Sequence, residues 1–93
     1  MFTHTVCFKF SEPGDVQEAA RRLRSMAGRI PSMDNIEVGI DELGSARSFD
    51  LVLITRHADR EAMEAYQVHP VHQEVINWMK TRGPKTIAVD FTT

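Results

Sequence analysis

Four consecutive apolar residues, Leu51-Val52-Leu53-Ile54, lie within a stretch from Phe49 to Thr55 that reads as a β-strand. A strand that alternates polar and apolar needs cover on one face only. One that is apolar on both faces needs a layer above and a layer below. The chain has 93 residues, enough for one compact domain over residues 1–93 but little for two covering layers. Cys7 is the only cysteine, so no internal disulfide can compensate for a small core. A second copy of the chain is the natural source of the missing layer, and a homodimer is expected.

The other elements follow from period. From Phe2 to Phe10, the residues Phe2, His4, Val6, Phe8 and Phe10 alternate with Thr3, Thr5, Cys7 and Lys9, which is strand spacing with an aromatic face. Asp15, with Glu18 three residues on, has the spacing of a capping box. Val16, Ala19, Ala20, Leu23, Met26, Ala27 and Ile30 then form a helical stripe, stopped near Gly28 and Pro31. Within Met33 to Leu43, Ile36, Val38 and Ile40 alternate with polar residues and suggest a strand near a sheet edge. Asp59 caps a second helix, which Val68-His69-Pro70 interrupts. A further helix starts at Pro70 and ends at Gly83-Pro84. Thr86 to Phe91 gives the last strand, with Ile87, Val89 and Phe91 on one side. The order β-α-β-β-α-β defines an α+β, ferredoxin-like chain: a four-stranded antiparallel sheet with helices on one face and its first and third strands central.

Charge narrows the function classes. The net charge of −2 leaves no excess of cations for phosphate neutralisation, so no nucleic-acid partner is expected. No apolar run reaches membrane-spanning length and no signal segment opens the chain, so a soluble, cytoplasmic protein without a membrane partner is expected. Arg21, Arg22, Arg24 and Arg29 read as a solvated helix face, with Glu18 and Arg22 at i, i+4 spacing.

Chemistry concentrates in Tyr66-Gln67-Val68-His69-Pro70-Val71-His72. Imidazole titrates nearest neutrality and suits proton transfer. A phenol can donate to a developing oxyanion. His72 shares its helix face with Val75, Ile76 and Met79, while His4 lies on the aromatic face of the first strand. These spacings leave two readings. The rings are either core groups bonded to backbone, or they converge with Tyr66 on a small-molecule pocket between sheet and helices. Val6, Phe8, Leu51 and Ile76 are the expected apolar walls of that pocket. His69 reads as a helix cap, and His57 as an exposed or rim residue. Cys7 faces away from His4, and Trp78 packs at a helix edge. His4, His69 and His72 could share a metal only if His69 joined the helix, and no carboxylate recurs at ligand spacing, so no metal is expected.

Thr3-His4-Thr5-Val6-Cys7-Phe8-Lys9-Phe10 resembles the opening strand of the stress-responsive A/B barrel (Dabb) domain. Ile36-Glu37-Val38-Gly39 resembles its second strand, Tyr66 through His72 its Y-x-x-H-P-x-H signature, and Val89-Asp90-Phe91 its close. The resemblance implies membership of the dimeric α/β-barrel superfamily, in which two sheets pack face to face with helices outside. Plant relatives include a polyketide cyclase, whose signature tyrosine and last histidine perform aldol-type ring closure without a cofactor. By position these roles fall on Tyr66 and His72, with His4 as the first-strand histidine. Cyclase-type relatives carry a further histidine where Leu51 stands here, which makes this pocket more apolar. The resemblance thus implies a protein that binds a partly apolar carbonyl compound, with His/Tyr acid–base chemistry of the cyclase or isomerase kind. A non-catalytic stress-related binding or structural protein and a cofactor-independent monooxygenase are the alternatives.

Overall fold

A computed structural model describes residues 1–93. Its elements are β1 (Phe2–Lys9), α1 (Gly14–Arg24), β2 (Asn35–Ile40), β3 (Leu51–His57), α2 (Arg60–Val68), α3 (Pro70–Arg82) and β4 (Lys85–Thr92). The strands form one sheet in the order β2-β3-β1-β4, antiparallel throughout. This is the ferredoxin-like arrangement with β1 and β3 central.

Register sorts the side chains between the two faces of the sheet. Phe2 pairs with His57, His4 with Thr55, Val6 with Leu53 and Phe8 with Leu51, and these face the helices. There Phe8, Leu51 and Leu53 join Ala19, Ala20 and Leu23 of α1 in the core. Val52, Ile54 and Arg56 take the other face and remain half-buried. The same face carries Ile87, Val89 and Phe91, which are 56%, 64% and 44% exposed. The apolar outer face anticipated from Leu51 to Ile54 therefore reappears on β4, with Thr3, Thr5, Cys7 and Lys9 of β1 between the two.

Two elements, α1 and β3, depart from the sequence reading at their ends. Asp15 does not cap α1: the helix opens at Gly14 behind Pro13 with no side-chain cap. Glu18 instead meets Arg21 and Arg22, and Asp15 lies 3.8 Å from Arg82 of α3. Ion partners, on the same helix for Glu18 and on α3 for Asp15, thus replace the capping box. The helix ends at Arg24, yet the turns that follow still bury Met26 and Ile30, and Gly28 adopts the left-handed φ of 74°. The third strand also begins later and runs further than expected, to His57 rather than Thr55.

The break between α2 and α3 follows the rule that a residue before proline is driven to extended geometry, with His69 at φ −66° and ψ 137°. His69 Nδ1 accepts from the Val71 N–H at 3.1 Å, so this histidine caps α3. Asp59 Oδ1 does the same for α2, accepting from the Ala62 N–H at 2.8 Å. Helix α3 packs on α1 and α2, and its backbone stays clear of β1 and β4. As a result Thr86, Ala88 and Asp90, the β4 residues that face the helices, remain exposed.

Candidate functional site

Tyr66 closes the last turns of α2 and is fully buried. Imidazoles surround its ring. His72 of α3 lies 4.4 Å away between ring centroids, His57 of β3 5.1 Å and His4 of β1 6.2 Å. Because Pro70 restarts the chain on a new axis, α3 returns His72 to the phenol of the preceding helix. The sequence-predicted trio His4, Tyr66 and His72 is thus assembled from three separate elements.

Hydrogen bonds define the protonation pattern. His72 Nδ1 lies 2.8 Å from the Gln67 carbonyl, which only accepts, so Nδ1 carries the proton and Nε2 keeps a lone pair. Burial holds His72 below its ordinary value; the Gln67 carbonyl opposes this shift, and His4 adds to it. Neutral imidazole is therefore the form present near neutrality. Burial pushes the Tyr66 hydroxyl above the ordinary phenol range, which keeps it a donor. That hydroxyl is buried and has no hydrogen-bond partner. A polar group so placed costs about 1–3 kcal/mol until something accepts from it.

Two members of the cluster were not anticipated. His57 is not at the rim: it is wholly buried, with Nδ1 donating to the Ser32 carbonyl at 2.7 Å and Nε2 2.9 Å from Thr55 Oγ1. Extending the alternation Leu51, Leu53, Thr55 by one step would have placed it on the core face. Asp90 of β4 meets His4 Nδ1 through its carboxylate. The Asp90 side chain is 41% exposed while that of His4 is 10% exposed, so the carboxylate links the ring cluster to solvent.

The proposed walls divide. Phe8 and Ile76 line a hollow of about 410 Å³ between α3 and β4, together with Met79, Lys80 and Thr86. Register continues the helix-side face from Phe8–Thr86 through Val6–Ala88 to His4–Asp90, but Val6, His4, Tyr66 and His72 line none of the hollows. Leu51 does not line this hollow. It sits 2% exposed in the core and borders a separate one of about 300 Å³ with Cys7, Phe49 and Val52. Trp78 is held between Arg22 and Arg82 at 4.6 and 5.3 Å and takes no part in the site.

The sheet order and the helices on one face define a ferredoxin-like α+β protomer. The chain belongs to the Stress responsive A/B Barrel Domain family, whose model matches residues 2–93. Among solved structures it is similar to a dimeric ferredoxin-like protein of unknown function from Thermobifida fusca, with 22% identity, a TM-score of 0.86, and coverage of 99% of this chain and 90% of that one. It is also similar to the hydroxynitrile lyase of Passiflora edulis, with 13% identity, a TM-score of 0.79, and 97% and 90% coverage. A third similar structure is the cofactor-independent oxygenase SnoaB of Streptomyces nogalater, with 14% identity, a TM-score of 0.75, and 99% and 91% coverage. No curated protein matches the chain by sequence.

Proposed function

We propose that the protein is a homodimer that binds a small, partly apolar carbonyl compound between sheet and helices and abstracts a proton alpha to the carbonyl. The observation that carries this reading is the buried, unpartnered Tyr66 hydroxyl beside an imidazole whose Nε2 lone pair is uncommitted. A carbonyl oxygen is the acceptor the phenol lacks.

His72 Nε2 takes the proton, the C–H electron pair becomes the enolate double bond, and the oxygen gains the charge. Tyr66 donates to that oxygen, with His4, anchored by Asp90, beside it. Returning the proton to carbon gives exchange or isomerisation. Attack of the enolate carbon on a second carbonyl of the same molecule gives ring closure. The homodimer rests on the exposed Ile87, Val89 and Phe91, and on dimeric relatives such as the Thermobifida fusca protein.

Incubation with methyl octyl ketone in deuterated water, followed by NMR of its alpha protons, tests the chemistry. Exchange is expected to be faster with the wild type than with His72→Ala by about 10²–10⁴. Equal rates, with the variant still folded, would remove the mechanism.

A further inference from the structure

On the face of the sheet turned away from the helices, register arranges the side chains in rows. One row runs Gly39, Val52, Cys7, Ile87 from β2 to β4. The next runs from Asp41, just past the end of β2, to Lys9 and Lys85. The two edges of this face differ in shape. At the β2 edge a hollow of about 300 Å³ opens over Gly39, bordered by Cys7, Asp41, Phe49 and Val52. Glycine keeps it open, since a Cβ at position 39 would stand 3.2 Å from Val52 Cγ1. At the β4 edge Ile87 protrudes, 56% exposed.

The edges differ in charge as well. Lys85 pairs directly with Lys9, a like-charged cross-strand pair that is unfavourable within one protomer. Lys9 donates to the Ser48 carbonyl at 3.0 Å, whereas Lys85 is exposed and takes part in no ion pair. Asp41 is likewise exposed and in no ion pair. Its Oδ2 accepts from the Gly44 N–H at 2.7 Å, which leaves Oδ1. One protomer cannot join the two charges, because β3 and β1 hold the edges about 14 Å apart.

From this self-complementarity we infer that a second copy packs on this face with the two-fold axis parallel to the strands. That axis sets β4 of each copy over β2 of the other at the same level. The partner's Ile87 then fills the hollow over Gly39, and the partner's Lys85 meets Asp41, each contact occurring twice. Aligned sheets cross at about 30°, which displaces an outer strand about 7 Å from the axis by only about 4 Å. Rows are about 7 Å apart, so the pairing survives the twist. An axis running across the strands would bring the partner's Glu37 to the apolar hollow and leave Lys85 and Asp41 unpaired. The inference deepens the homodimer reading above and rests on it.

Sedimentation of the full chain over a range of concentrations at low salt tests the docking. The variants are Lys85→Asp, Asp41→Lys and the double reversal, all at exposed positions. Each single reversal sets like charges at two symmetric contacts and is expected to raise the dissociation constant about tenfold. The double reversal is expected to return to within about threefold of the wild type, and these differences are expected to shrink as salt rises. In the wild type, Cys7 beside the hollow is expected to lose reactivity towards a thiol reagent as concentration rises through the dissociation constant. Single reversals without effect, a double reversal no better than the singles, or a Cys7 equally reactive in monomer and dimer overturns this docking and leaves the homodimer standing. A wild type that stays monomeric throughout overturns the homodimer and the docking together.

Discussion

The Tyr66 ring lies 4.4 Å from the His72 ring, tilted by 46°, although the two residues belong to different helices separated by a proline break. The break is what makes the pairing useful. On one continuous helix these side chains would point in directions set by the helical period, whereas two helix axes let both rings face β1 and β3. Energetically the pair is unequal. His72 has its backbone partner, and Tyr66 has none.

That inequality gives the first prediction. Tyr66→Phe removes a buried donor with nothing to donate to, so the ligand-free protein should gain about 1–3 kcal/mol. Urea denaturation at fixed protein concentration measures this. The same variant should bind methyl octyl ketone less tightly. A loss of more than about 1 kcal/mol would mean that the hydroxyl has a partner in the free protein.

His72 makes stability depend on pH with a definite sign. Its folded value is depressed, mainly by burial, so the unfolded chain binds the proton more readily. Stability from this residue is therefore complete above the unfolded value of about 6.5 and is lost as pH falls from there towards the folded value. Denaturation midpoints measured across mildly acidic pH should fall in the wild type and fall less in His72→Gln. A wild-type midpoint that rises on acidification, with His72→Gln flat, would contradict the sign.

His57 is held at both nitrogens, by the Ser32 carbonyl and Thr55 Oγ1, with no exposure. His57→Phe keeps ring volume against Tyr66 but leaves the buried Thr55 hydroxyl and the carbonyl of half-buried Ser32 without it, at a cost of about 1–3 kcal/mol. If thermal and urea unfolding showed no change, the two bonds would carry no weight.

How much of this was legible beforehand depends on the kind of signal. Period two in Phe2 to Phe10 placed His4 on the helix side because alternation is a local property. The signature around Pro70 located Tyr66 and His72 because proline geometry is local as well. Asp90 was not legible as a partner of His4: its pairing depends on the β1–β4 register, which a sequence with two long central strands leaves open. The failed Asp15 cap has the same origin, since Arg82 lies 67 positions away in the sequence yet competes for that carboxylate. His57 was within reach, and ending the third strand early hid it.

The last prediction concerns the outer face. Ile87, Val89 and Phe91 protrude from β4, and half-buried Val52 and Ile54 lie on the same face of β3 across Thr3, Thr5 and Cys7 of β1, apolar side chains without cover in one protomer. If a second sheet packs there, Val89→Asp places a carboxylate from each copy in a desolvated layer. The dissociation constant should rise at least about a hundredfold, readable by analytical ultracentrifugation. β4 is also an edge strand, so copies could instead join backbone to backbone. The two modes separate cleanly. Face packing is broken by Val89→Asp, whereas edge pairing tolerates a charge that points off the sheet. A variant that remains dimeric, or a wild type that sediments as a monomer at high concentration, would exclude the face-to-face barrel that the apolar run in β3 calls for.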